Sequence, residues 1–148
     1  MISNEHYLGE NFLAISRKSI KLYRQMCTDG VKEYDFTTNE VDVLVFLINN
    51  PTLNKASDIS KYRGISKALV CTAVDNLTNK GYLSVQVKES DRRIQHLALE
   101  PKAESVVYLL KKARKNFFEV LYDGIDEKQC DSLRSSIQIM TQNIERLK

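Results

Sequence analysis

The chain of 148 residues is the length of one domain, and its 43% hydrophobic content is enough to bury a core without disulfide or metal staples. No stretch approaches the roughly 20 consecutive apolar residues of a membrane span, and the start Met1-Ile2-Ser3-Asn4-Glu5 lacks the basic, apolar and small-residue order of a secretion signal. A cytoplasmic protein with no membrane association is expected, its three cysteines, Cys27, Cys71 and Cys130, reduced and without a C-x-x-C pair.

Residues 5–27 place Leu8, Phe12, Ile15, Leu22 and Met26 on one helical face, interrupted by Ser19, which predicts a long first helix. Thr37 and Glu40 then have the spacing of a capping box ahead of Val41, Leu44, Val45 and Ile48, with Pro51 just beyond Asn49-Asn50. The run Val43–Ile48 is apolar enough for a buried strand, but the box and the late proline favour a helix buried on two sides.

A third helix is predicted over Lys55–Arg63, with Ile59 and Tyr62 on its apolar side and Gly64 supplying the positive φ of a tight turn. Ser66 is a good N-cap for a fourth helix running to Lys80 and stopped by Gly81. Val70, Val74 and Leu77 form its buried stripe, and Ile65 is placed to staple its start. The opposite side, Ser66, Lys67, Ala68, Leu69, Cys71 and Thr72, then Asp75 and Asn76, is left for a partner.

After Gly81 the period changes from 3.6 to 2. Leu83, Val85 and Val87 alternate with Ser84, Gln86 and Lys88, and Leu97 and Leu99 recur among Gln95, His96 and Ala98, a hairpin with one wet face and Asp91-Arg92-Arg93 at its tip. Pro101 suits the first position of a fifth helix, in which Val106, Leu110, Ala113, Phe117 and Val120 repeat and which Gly124 closes. Asp126 caps a sixth, whose Cys130, Leu133, Ile137, Met140, Ile144 and Leu147 keep a four-three rhythm to the end of the chain. Either the first helix of the same chain or a second copy must cover that stripe.

Helix, glycine turn, helix and basic ribbon over residues 55–99 read as a winged helix-turn-helix, and double-stranded DNA is the partner this arrangement suits. Residues 55–93 hold eight cations against four acids, while the rest of the chain carries a net −1. Lys67, near the start of the reading helix, is placed for a guanine edge or a phosphate, and Ala68 and Leu69 for thymine methyl groups, unless Leu69 turns into the core. Ser66 and Thr72 can donate to phosphates, Lys61 and Arg63 can grip the backbone from the turn, and Arg92 and Arg93 suit a narrow minor groove. Cys71 lies on the groove side, where oxidation would add bulk and charge, and Cys27 is a second candidate for a thiol-based sensor; a buried or unreactive thiol is the alternative.

Enzyme chemistry, cofactor and metal are not expected. The only histidines, His6 and His96, have no evident partner, and the chain has neither a glycine-rich phosphate loop after a strand nor a His-x3-His pair.

The segments Lys61-Tyr62-Arg63-Gly64-Ile65-Ser66-Lys67, Val74-Asp75-Asn76-Leu77 through Lys80-Gly81-Tyr82-Leu83, and Asp91-Arg92-Arg93 before Leu97-Ala98-Leu99 resemble the MarR family of bacterial transcriptional regulators. The resemblance covers nearly the whole chain. It implies a mainly α fold with a small two-stranded β wing: a winged helix-turn-helix over 34–100, flanked by N- and C-terminal dimerisation helices over 5–27 and 101–148, in a single domain of residues 1–148. Leu8, Phe12, Leu133, Ile137, Met140, Ile144 and Leu147 would form the homodimer interface, and the operator would be a pseudo-palindrome. The resemblance also points to Arg93 as the inserted wing residue, oriented by Asp91 through a charge-assisted hydrogen bond. It implies release by a small anionic or phenolic effector bound between reader and dimer helices, with repression as the commoner mode. Glu100 replaces the family's threonine after the wing strand, Ala103 its glycine, and Thr72 a frequent arginine of the reading helix. A reactive cysteine near the start of the first helix and histidines in the fifth, features of peroxide- and metal-sensing relatives, do not occur. The competing class is a winged-helix module that docks another protein on its wing face.

Overall fold

The computed structural model describes residues 2–147, with side chains from Tyr7 to Leu147, so the side chain of His6 lies outside the described residues. The chain folds as two compact units, Met1–Phe117 and Phe118–Lys148. In order, the elements are α1 (Ile2–Gly30), a 3-10 turn (Lys32–Tyr34), α2 (Thr38–Asn49), α3 (Ala56–Arg63), α4 (Lys67–Asn79), β1 (Leu83–Lys88), β2 (Asp91–Leu99), a second 3-10 turn (Pro101–Ala103), α5 (Glu104–Leu121) and α6 (Glu127–Glu145). A mainly helical fold with one two-stranded antiparallel sheet is the architecture the sequence predicts.

Local chemistry explains where the helices begin. Both arms of the Thr37 box form: Thr37 Oγ1 accepts from the Glu40 amide and Glu40 Oε2 from the Thr37 amide, each at 3.2 Å. Ser66 Oγ accepts from the Leu69 amide at 3.3 Å, and Asp126 with Gln129 closes a second full box at 2.8 and 3.0 Å. Between α3 and α4, Gly64 takes φ +65° and Ser60 Oγ donates to the Ile65 carbonyl at 2.7 Å, fixing the turn.

The core of the first unit is built around α2. Every residue from Glu40 to Leu47 is buried, so the ambiguous apolar run is a helix enclosed on all sides. Ile59 of α3, Val70, Ala73, Val74 and Leu77 of α4, Leu83 and Leu97 of the sheet, and Val106 and Leu110 of α5 pack around it. Two ion pairs run through this packing. Arg24 of α1 holds Asp42 with two hydrogen bonds, 3.2 and 2.5 Å, and Lys80 meets Glu40 at 3.0 Å.

Some sequence expectations are corrected. Tyr62 is 60% exposed and lays its ring on Phe46, 6.1 Å between centroids, instead of entering the core with Ile59. Pro101 opens a 3-10 turn, and α5 proper starts at Glu104. Val120 is exposed although it continues the Val106–Phe117 repeat. The hairpin buries only its base, through Leu83 and Leu97; Val85 and Val87 face solvent, so its outer half is wet on both sides.

Gly64 has open space where a Cβ would stand, so its replacement is opposed by backbone conformation alone. Gly64→Ala should therefore cost about 1 to 2 kcal/mol and lower the thermal midpoint by a few degrees. A calorimetric midpoint equal to that of the unmodified chain would contradict the required positive φ.

Candidate nucleic-acid interface

α4 presents two chemically distinct sides. Val70, Ala73, Val74 and Leu77 anchor it, while Ser66, Lys67, Ala68, Leu69, Cys71 and Thr72 are exposed. Leu69 is 50% exposed, so its side chain belongs to the outer face and not to the core. The two hydroxyls differ. Ser66 Oγ is an acceptor within the cap, leaving its O–H free to donate outward, whereas Thr72 Oγ1 donates to the Ala68 carbonyl at 3.0 Å, so its proton is committed to the helix.

The far end of that face is occupied. Asn76 is half-buried and its Nδ2 donates to Glu40 Oε1 at 3.1 Å, and Lys80 Nζ reaches Oε2 of the same carboxylate. The surface left open to a partner is thus the N-terminal half of α4. Lys61 is exposed on α3, its Nζ 5.6 Å from the Tyr62 ring centroid. Arg63 is half-buried, close enough to Tyr23 and Cys27 for its charge to act on both.

In the wing, β1 and β2 pair regularly from Leu83↔Leu99 to Val87↔Gln95, but the next pair is Lys88↔Asp91. Arg92, Arg93 and Ile94 therefore stand opposite a single step of β1, a bulge that takes both arginines out of the regular alternation. Both are exposed. Asp91 Oδ1 accepts from the Arg93 amide at 3.1 Å, so the observed support is to the main chain, where the family resemblance implied a bond to the guanidinium.

A second support was not anticipated from the sequence. The Asn54 carbonyl accepts from the Leu97 amide at 2.7 Å, and Asn54 Oδ1 lies 2.7 Å from His96 Nδ1, whose N–H donates. The loop ahead of α3 is thereby sewn to β2. An Asn before a helix signals a turn or cap, which hides this long-range role.

The thiols occupy different environments. Cys71 is exposed and Cys27 is buried. Burial pushes the Cys27 thiol up to about 11, outweighing a hydrogen bond from Tyr23 and the nearby charge of Arg63. No group of three His, Cys, Asp or Glu side chains that could hold a metal ion occurs among the described residues.

The sequence pattern of the MarR family matches residues 34–94, which span α2 to the wing arginines. Residues 34–94 are thus similar to the MarR family. The fold extends the likeness over the rest of the chain. A MarR transcriptional regulator from Methanosarcina mazei Go1 is 20% identical with a TM-score of 0.72, the match covering 97% of this chain and 99% of that one. A MarR-family regulator from Listeria monocytogenes, solved with a 26-mer DNA, is 16% identical with a TM-score of 0.73, covering 91% and 87%. BpsR from Bordetella bronchiseptica, whose DNA binding is regulated by 6-hydroxynicotinic acid, is 15% identical with a TM-score of 0.61, covering 86% and 91%. At these identities the likeness establishes the MarR fold.

At pH 8 a thiol with the Cys27 value is ionised to roughly one part in a thousand, and the thiolate is the reactive form. Iodoacetamide at that pH should label Cys71 in the folded protein and leave Cys27 unmodified until denaturant is added. Labelling of Cys27 at the Cys71 rate in the native state would contradict the burial described.

Proposed function

We propose that this protein is a cytoplasmic, sequence-specific DNA-binding transcriptional regulator, not an enzyme, that acts as a homodimer on a pseudo-palindromic operator and represses until a small molecule releases it. The observation that carries this reading is the exposed N-terminal half of α4 within the MarR-family segment, together with a bulged wing bearing Arg92 and Arg93. Lys67, Ala68 and Leu69 read base edges, with Cys71 and Thr72 on the same groove-facing surface. Ser66 and Lys61 position the backbone, Arg63 adds charge behind them, and Arg93 enters the minor groove with Asp91 shaping its main chain. No helix among the described residues is long and apolar enough to cross a membrane.

Association of two copies is supported by apolar surface that this chain leaves open. On α1, Leu8 and Phe12 are exposed; on α6, Leu133, Ile137 and Ile144 are exposed and Met140 is partly so, and Leu147 just beyond the helix is exposed. A two-fold arrangement of residues 5–27 and 101–148 would cover these side chains and set two reading helices about one turn of DNA apart.

Effector release is supported by a cavity of about 370 Å³ between α1 and the start of α2, lined by Arg17, Lys21, Arg24, Gln25, Thr28 and Thr38 among others, with no acid in the lining. Arg24 is paired with Asp42, but Arg17 and Lys21 leave a positive charge that suits an anion, and regulation of the Bordetella relative by 6-hydroxynicotinic acid is in keeping with such a ligand. A second reading, oxidation-controlled release, is favoured by one observation: Cys71 is exposed on the reading helix itself. Cys27, held as a buried thiol, is not suited to that role.

Arg93→Ala should weaken binding to a duplex selected by the unmodified protein by about 1 to 3 kcal/mol, with an unchanged far-ultraviolet spectrum. The measurement is a fluorescence-anisotropy titration at one fixed salt concentration; equal affinity of the two proteins would remove Arg93 from the interface.

A further inference from the structure

Glu40 makes more bonds than its place at the start of α2 requires. A capping glutamate needs to reach only the N-cap amide, and the box on α6 does this with a neutral, exposed Gln129. Glu40 is 1% exposed, and a carboxylate removed from water is costly unless charge and hydrogen bonds compensate it. Both oxygens are compensated from α4 and its C-cap: Oε1 by Asn76 Nδ2 at 3.1 Å and Oε2 by Lys80 Nζ at 3.0 Å. Lys80 is itself held, its Nζ 5.4 Å from the Phe36 ring centroid and its carbonyl accepting from Lys102 Nζ at 2.6 Å.

Asn76 and Lys80 are one helical turn apart on the same side of α4. Two bonds from that side to one carboxylate define both the rotation and the axial position of the helix. The apolar face cannot do this alone, because hydrophobic contact is non-directional and tolerates small slides. Precision at this end matters at the other: Lys67 lies about 20 Å along the helix from Lys80, so a tilt of about 5° displaces the reading side chains by about 2 Å. Base-edge hydrogen bonds do not survive such a displacement.

We propose that Glu40 is the positioning residue of the reading helix, setting its pose through Lys80 and Asn76 and thereby governing sequence discrimination without touching DNA. The proposal rests on the DNA-binding reading above. The rival account treats Lys80 as a phosphate contact and Glu40 as part of the cap only.

The experiment measures affinity for a duplex that the unmodified full chain selects from a random pool, and for a scrambled duplex, across a salt series. The proteins are the unmodified chain, E40Q, K80M and the double variant. Glutamine serves a capping box as glutamate does, so E40Q spares the cap and removes the ionic tie. Each single variant should lower the ratio of selected to scrambled affinity by roughly 3- to 30-fold, with the scrambled affinity and the salt slope unchanged, and the double variant should lose no more than either single. A normal ratio in E40Q, even with a lowered melting temperature, would overturn the proposal. So would a K80M salt slope reduced by about 0.9 with effects that add, the mark of a phosphate contact. Should E40Q not fold, N76A cuts the Oε1 bond from the other side and carries the same ratio test. Failure of the unmodified protein to select any sequence would sink the DNA reading itself, whereas selection with a normal variant ratio would sink this proposal alone.

Discussion

A helix with no solvent-facing side imposes an unusual demand: every element that packs on it must be placed by something more specific than apolar contact. α2 is such a helix from Glu40 to Leu47, and it carries two carboxylates into the core. Each finds its cation on a different neighbour, Asp42 on Arg24 of α1 and Glu40 on Lys80, the C-cap of α4. Apolar burial supplies most of the drive to assemble, but these charged contacts have direction, and breaking one partner would strand a buried charge. The result is that the first helix and the reading helix are both referenced to one internal rod.

The outer surface follows from that frame. With Val70, Ala73, Val74 and Leu77 fixed inward, the residues from Ser66 to Leu69, with Cys71 and Thr72, have no other direction than outward. Only Lys67 among them is cationic, so in the proposed DNA-binding role this helix would read more by fit than by charge, and attraction to phosphates would fall to Lys61 and the wing. The wing meets that need through irregularity. A regular ladder would turn Arg92 and Arg93 to opposite faces, whereas the bulge opposite Val87 and Lys88 frees both from the alternation, and Asn54 fastens the strand behind them.

Much of this was legible in the sequence because it is local. The Thr37–Glu40 box, the Ser66 cap, the Gly64 turn and the Asp126 cap each act over three or four residues, and a pattern reading finds them. The change of period after Gly81 located the wing for the same reason. What escaped were ties between distant positions. Asn76 reads as one more polar residue on the open side of α4, and only the fold brings Glu40 to it; Asn54 and His96 meet across a comparable separation. The bulge escaped because strand register depends on the turn as well as on alternation. Tyr62 and Val120 continue apolar stripes beyond the edge of the core, where periodicity does not say that the neighbouring element has ended.

The central claim is that two copies offer identical readers to one duplex, and hydroxyl-radical footprinting on the selected sequence tests it most directly. The account predicts two protected patches on one face of the DNA, about one helical turn apart, flanked by protection of the narrow groove where the wings reach. A single patch, or uniform cleavage at a protein concentration that saturates other DNA-binding assays, would contradict it.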